Sequence, residues 1–146
     1  MTPTNEERRD SILAQHVRLR STIHSVQQVA QAAAGASILS DQLIAAIATL
    51  QKDVLEHLAE EERLLEPAFS RLGARETLRV SLLRAEHAHQ RAVLAMLNAG
   101  GAKPPGGAVA IRTLELCDHL LADMDFEERE LLDDMLLPPE SILDDV

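Results

Sequence analysis

The chain has 146 residues, 46% of them apolar, a formal net charge of -10, two phenylalanines, no tyrosine or tryptophan, and a single cysteine. That length suits one domain able to bury a sizeable core, and the carboxylate surplus disfavours a nucleic-acid or anionic-lipid partner, which needs clustered Lys and Arg. One thiol, Cys117, excludes an intramolecular disulfide and a cysteine-rich metal knuckle.

Residues 1–11 lack the apolar run of a signal peptide, and no segment is long and apolar enough to span a bilayer. A soluble, cytoplasmic protein without a membrane partner is the expectation. Abundant Ala, Leu, Glu and Arg, with few aromatic and β-branched residues, favours helix over sheet, so the fold class expected is all-α.

Thr4-Asn5-Glu6-Glu7 has the form of a capping box that opens a first helix running to about Ala34, before Gly35. Its apolar ladder is Ile12, His16, Leu19, Ile23, Val26, Ala30 and Ala33, the narrow stripe of a helix in a bundle, and His16 holds a core position in it. His24 falls one residue off the ladder, at its edge. Ser37 or Ser40 caps a second helix reaching Glu66, where Pro67 ends or kinks it and leaves 68–72 as a short further turn before Gly73. On this helix Leu43, Ile47, Leu50, Val54, His57, Glu61 and Leu64 share one face, which places an imidazole above a carboxylate inside an apolar stripe.

A third helix spans about Ala74 to Ala99, with Val80, Leu83, His87, Leu94 and Leu97 on one face and His89 turned to water. Residues 100–107, with four glycines and two prolines, read as a linker. The fourth helix runs from about Ala108 to Leu137, stopped by Pro138-Pro139, and its stripe is Val109, Thr113, Leu116, Leu120, Asp123, Glu127 and Leu131. The bundle therefore occupies residues 1–139, and residues 140–146 form an acidic tail.

The order contains a repeat. Gln15-His16, Arg20 and Ile23 match Glu86-His87, Arg91 and Leu94 at an offset of 71, and Glu61-Glu62-Arg63 matches Glu127-Glu128-Arg129 at an offset of 66. Two helical hairpins of one design make a four-helix bundle. Six inward polar positions result: His16, His57, Glu61, His87, Asp123 and Glu127. A lone core histidine is most often a hydrogen-bonded structural residue, and a run such as Glu60-Glu61-Glu62 is most often a solvated face, to which Glu60 and Glu62 are assigned. Six such groups on four stripes are harder to absorb, because each unpartnered one costs a few kcal/mol in a fold stable by only about 5–15 kcal/mol. Three imidazoles and three carboxylates suit iron or manganese and are enough for two ions, with carboxylates bridging.

His16, His57-x3-Glu61-Glu62 ending at Pro67, His87, and Glu127-Glu128-Arg129 together resemble the hemerythrin-like, or HHE cation-binding, family over nearly the whole chain. The resemblance implies an up-down-up-down antiparallel bundle around an oxygen-bridged non-haem di-iron centre that engages dioxygen, nitric oxide or peroxide, in sensing, storage or the handling of iron and oxidative stress. It implies a binding or sensing protein before an enzyme. The family pattern has a His four residues before the fourth-helix Glu, and Asp123 stands there instead. Asp is shorter and anionic, which leaves open whether one ion or two bind. His119, one turn earlier, is a possible substitute ligand.

Two other readings stand beside this one. One is a metal-depleted bundle acting as an interaction or regulatory module; the other is a carboxylate-rich di-iron oxidase or peroxidase. The ferritin-like oxidases use a Glu-x-x-His spacing, which is missing from the inward faces here. Cys117 reads as packing, and the glycines lack the strand context of a phosphate loop.

Overall fold

A computed structural model describes residues 3–35, 40–70, 73–98 and 106–132. They form helices α1 (Asn5–Ala33), α2 (Asp41–Ser70), α3 (Ala74–Asn98) and α4 (Gly106–Phe126), and α4 continues into a π-helical turn, Glu127–Leu132. Ser37, the expected acidic tail and its preceding prolines lie outside the described residues. The helices pack as an all-α four-helix bundle in which each touches its chain neighbour and α4 closes against α1. Connection length sets the direction of each. A 30-residue helix such as α2 is about 45 Å long, and the three residues 71–73 reach only about 11 Å, so α3 must run back beside it.

Local chemistry sets most boundaries. The Thr4 hydroxyl accepts from the Glu7 N–H at 3.1 Å, and the Glu7 carboxylate reaches back to that hydroxyl at 3.2 Å. Ser40 caps α2, its Oγ accepting from the Leu43 N–H at 3.1 Å. Gly73, with φ of 119°, turns the chain between α2 and α3 in a conformation that L residues with a Cβ avoid.

Three boundaries differ from expectation. Pro67 neither ends nor interrupts α2, which runs on to Ser70. Its ring lies on the exposed side, while Leu64, Leu65, Ala68 and Phe69 on the inner side pack with Ile12, Val80, Leu83 and Leu132. That burial, worth roughly 2 kcal/mol per large side chain, offsets one missing backbone hydrogen bond. Gly106 and Gly107, expected in the linker, already belong to α4. The third is the π-helical turn, whose added residue puts Leu132, fully buried, where regular spacing predicts Leu131. The side chain of Leu131 is outside the described set.

The apolar positions predicted for α1 and α2 are all buried. One cluster, around Ala30, Leu43 and Val109, fills one end of the bundle. A second, around Ile23, Leu58 and Leu116, fills the middle, and the Ile12–Phe69–Leu132 cluster fills the other end. The polar residues of the stripes fall between the last two, so a charged layer is sealed above and below by hydrocarbon. Cys117 is fully buried and its thiol is pushed up to about 12, mainly by burial, which makes it an inert packing group.

Replacing Pro67 by Ala should stabilise the fold, since the recovered helix hydrogen bond outweighs the roughly 0.4–1 kcal/mol of unfolded-chain entropy that a proline removes. A rise of several degrees in the thermal midpoint is expected. An unchanged or lower midpoint would show that the ring itself contributes to the packing.

Candidate metal centre

Four residues bring one ligand atom each to within 4.8 Å of one another: His16 from α1, His57 and Glu61 from α2, and Glu127 from the start of the π-helical turn. All four are buried, His16 and Glu61 completely. His16 Nε2 lies 3.4 Å from Glu127 Oε2, His57 Nε2 lies 3.1 Å from Glu61 Oε1, and the His16 and His57 rings meet edge to face at 4.9 Å. His87, also fully buried, presents Nε2 from α3 at 3.7 Å from the other Glu61 oxygen.

Two imidazoles are oriented from behind by a carboxylate and an arginine. His16 Nδ1 donates to Glu128 Oε2 at 3.1 Å, and Arg20 holds that same carboxylate. His87 Nδ1 donates to Glu62 Oε1 at 2.9 Å, and Arg91 grips Glu62 with two bonds of 2.7 and 3.0 Å. An ionised carboxylate only accepts, so Nδ1 must carry the hydrogen and Nε2 keeps its lone pair for the centre. This is the arrangement by which proteins fix the tautomer and raise the basicity of metal-binding histidines. His57 Nδ1 is held by the Gln15 side-chain oxygen at 2.9 Å.

Five atoms of this layer have no hydrogen-bond partner: His16 Nε2, both Glu61 oxygens, His87 Nε2 and Glu127 Oε2. Leaving each unsatisfied costs about 1–3 kcal/mol, a sum that rivals the stability of a whole domain. The lone pairs of His16, Glu61 and Glu127 converge, with His87 on the far side of Glu61, and bound metal would satisfy them. The donor set fits a metal ion.

Electrostatics in the metal-free chain point the same way. Burial by itself raises the pKa of Glu61, but its neighbours Glu127, His57 and His87 outweigh that and hold it well below the usual carboxylate range. Glu127 moves in the opposite direction, pushed well above that range by burial, then by the Glu61 charge, then by Asp123. The two carboxyl groups titrate as a pair, with Glu127 the one pushed towards its neutral form. His16 is lowered, chiefly by burial, whereas for His87 the carboxylates of Glu61 and Glu62 overcome burial and raise it. Metal binding at such a site releases protons.

Asp123 and His119 sit differently from the other predicted residues. Asp123 is half-buried and accepts from Gln90 Nε2 at 2.9 Å, at the edge of the layer and outside the converging four. His119 is on the surface, its side chain 44% exposed, in contact with Glu86 and with the His89 ring. Glu62, assigned from sequence to a solvated face, instead supports His87. Its partner Arg91 draws it over the imidazole, and the 71-residue repeat that pairs Arg91 with Arg20 carries the signal. Gln90 also escapes the sequence reading, although the step from His87 to Leu94 leaves an inward place for it; it is 2% exposed.

This is the polar layer of a hemerythrin-like bundle. The family model for the hemerythrin HHE cation binding domain matches residues 8–136, and the chain belongs to that family. No curated protein and no solved structure matches it significantly. No helix among the described residues is long and apolar enough to cross a membrane.

The raised pKa of Glu127 gives a pH-dependent prediction. A carboxyl group raised in the fold stabilises it below the unfolded pKa, and that contribution disappears as pH rises through the folded value. Metal-free Glu127→Gln should therefore be more stable than the parent at pH 7, by about 1–3 kcal/mol, with the gap closing towards pH 4. Denaturation in chelator across that range measures it; a gap that widens in acid would contradict the raised pKa of Glu127.

Proposed function

We propose that the chain is a non-haem iron protein that engages dioxygen, nitric oxide or peroxide at this centre, in sensing, storage or the handling of iron and oxidative stress. The observation that carries it is the layer of five unpartnered buried imidazole and carboxylate atoms drawn from all four helical stripes, with His16, His57, Glu61 and Glu127 converging within it. A mixed set of this hardness favours iron, with manganese next, over magnesium or copper. His16, His57, Glu61 and Glu127 would hold one ion, and His87 and Asp123 would serve a second.

Bound iron would supply a redox-active position for a small ligand. The chain's own residues do the remainder. Glu128–Arg20 and Glu62–Arg91 fix two imidazoles. The apolar clusters above and below keep bulk water from entering along the bundle axis, which strengthens the charge interactions between the fully buried groups. Glu127, pushed well above the usual carboxylate range by burial and by the Glu61 charge, would give up its proton on ligation. With no tyrosine in the chain to carry a radical, binding and sensing fit better than oxidative turnover. The hydrogen bond from Gln90 to Asp123 favours filling of the His16–His57–Glu61–Glu127 position first. A single buried thiol suits a reducing compartment, and we place the protein in the cytoplasm on that ground.

Anaerobic reconstitution with ferrous iron tests the reading. Between about one and two irons per chain are expected, with a near-ultraviolet oxo-to-iron band after exposure to air and a spectral change on adding nitric oxide. Iron at 100 times its dissociation constant should stabilise the fold by about 2.7 kcal/mol. Less than about half an iron per chain and no such band would leave the metal-depleted interaction module standing. Steady consumption of peroxide would favour the oxidase reading.

Two substitutions sharpen this test. Asp123→His should raise the iron content towards about two, and Asp123→Leu should lower it; a stabilised Asp123→Leu protein with unchanged iron would remove Asp123 from the ligand set. Glu62→Gln should weaken metal binding by about 10–100-fold through loss of the support behind His87. Titration with Mn2+ or Zn2+ measures that change, and an unaltered affinity would contradict it.

A further inference from the structure

The two halves of the bundle differ outside the buried layer, and the difference lies in the groove between α3 and α4. These helices pack together more lightly than any other neighbouring pair, and a pocket of about 430 Å³ opens between them. Asp123 and Glu127 line it, so it reaches the buried layer; Glu86 lies along its wall. Glu127 is 2% exposed, and its Oε2 is one of the atoms without a partner. Glu86, Asp123, Glu127 and Glu130 set four carboxylates against one guanidinium, Arg79, in the pocket lining.

Along α4 and into the π-helical turn, His119, Asp123 and Glu127 stand at four-residue steps. Each step turns about 40° further around the helix axis, and the series passes from exposed to half-buried to buried. Beside its outer end is His89 from α3, whose ring centroid is 5.6 Å from that of His119, at an interplanar angle of 77°. Two imidazoles sharing one ion, each nitrogen about 2.0–2.1 Å from it, place their centroids roughly 5 Å apart. Glu86 contacts His119 and accepts from Gln90 Nε2 at 3.3 Å, and Gln90 in turn donates to Asp123.

We propose that His89, His119 and Glu86 form a second, solvent-facing site for a divalent first-row transition-metal ion, from which ions pass by Asp123 to Glu127 and load the buried centre. Two imidazoles and a carboxylate suit such an ion. The three side chains do not converge in their present rotamers, but both imidazoles are exposed, and exposed rotamers exchange in picoseconds to nanoseconds. The other half of the molecule supplies the contrast. By the repeat offsets, Glu86, His89 and His119 correspond to Gln15, Arg18 and Asp53 in the α1–α2 groove. There the amide of Gln15 is engaged with His57, Asp53 accepts from Thr22 at 2.7 Å, and Arg18 brings a positive charge. Only the α3–α4 side carries the outer ligand set. The loading role rests on the metal-centre reading above; the outer site stands on its own residues.

The test uses the full, metal-free chain. Imidazole resonances are followed during titration with Zn2+, and anaerobic Fe2+ uptake is timed as iron retained after rapid gel filtration into chelator. Zn2+ should perturb the His89 and His119 rings, and His89→Ala/His119→Ala should abolish an outer binding step. That variant should fill its buried centre about tenfold more slowly, or slower still, because the local ion concentration is lost, while reaching the same final iron content. Glu86→Gln, which keeps the side-chain shape, should slow uptake in the same direction. Uptake at the parental rate in both variants, or rings unresponsive at Zn2+ concentrations that fill the centre, overturns the proposal. If neither parent nor variant retains iron at any time, the buried-centre reading and the loading role fail together. The Zn2+ response of the two rings then decides the outer site alone.

Discussion

Glu61 places a carboxylate with no exposed surface in the middle of a helical bundle, and the rest of the layer is arranged around that fact. A buried charge of this kind costs several kcal/mol unless neighbours compensate for it. Its neighbours are two imidazoles and a second carboxylate, none of which hydrogen-bonds to it with proper geometry. The groups are near enough to perturb one another and too poorly aligned to satisfy one another. Such a layer is tolerable in the metal-free chain because burial and the Glu61 charge push Glu127 towards its neutral form and because hydrocarbon clusters on both sides stabilise the helices that carry it.

The duplicated hairpin explains how the imidazoles are aimed. A histidine on an odd-numbered helix is backed by the residue that follows the buried glutamate on its neighbour: His16 by Glu128, His87 by Glu62. An arginine one turn after each histidine, Arg20 or Arg91, then clamps that carboxylate. Because Glu61 and Glu62 are adjacent on one helix, the first points inward and the second around the flank. A Glu-Glu pair thus serves the interior and its support at once. The supporting carboxylates stay ionised, since burial raises Glu62 and Glu128 less than their arginine and histidine partners lower them.

Much of this was legible in the residues. The stripes on α1 and α2 predicted which side chains are buried, and the polar intrusions at His16, His57, Glu61, His87 and Glu127 are where four-helix geometry brings them together. Periodicity reports which face a residue is on, and says nothing of what reaches over from the next helix. Glu62 lies off the stripe of α2 and reads as solvated because its partner is on α3. Pro67 carries a local rule that the packing of Phe69 and Leu65 overrides. The π-helical turn has no signature in a single sequence: Leu131 and Leu132 are the same residue type, and only packing selects the second.

Asp123 ties these themes together. It stands where the repeat has His57, so the substitution adds a third carboxylate to a layer in which one is already pushed towards its neutral form. Turned fully inward, it would face the Glu61 charge across a low-dielectric core, where repulsion at short range is many times its value in water. Instead it remains half-buried, and Gln90, at the position matching Leu19, donates to it. The match of Phe126 to Glu60 and of Leu82 to Ser11 alters the same flank of the bundle. The outward carboxylate, the amide that holds it and the open α3–α4 groove are therefore one structural adjustment. An imidazole could lie flat against its neighbours in the layer; an added anion has to stay within reach of water or of a cation, and the groove gives it access to both.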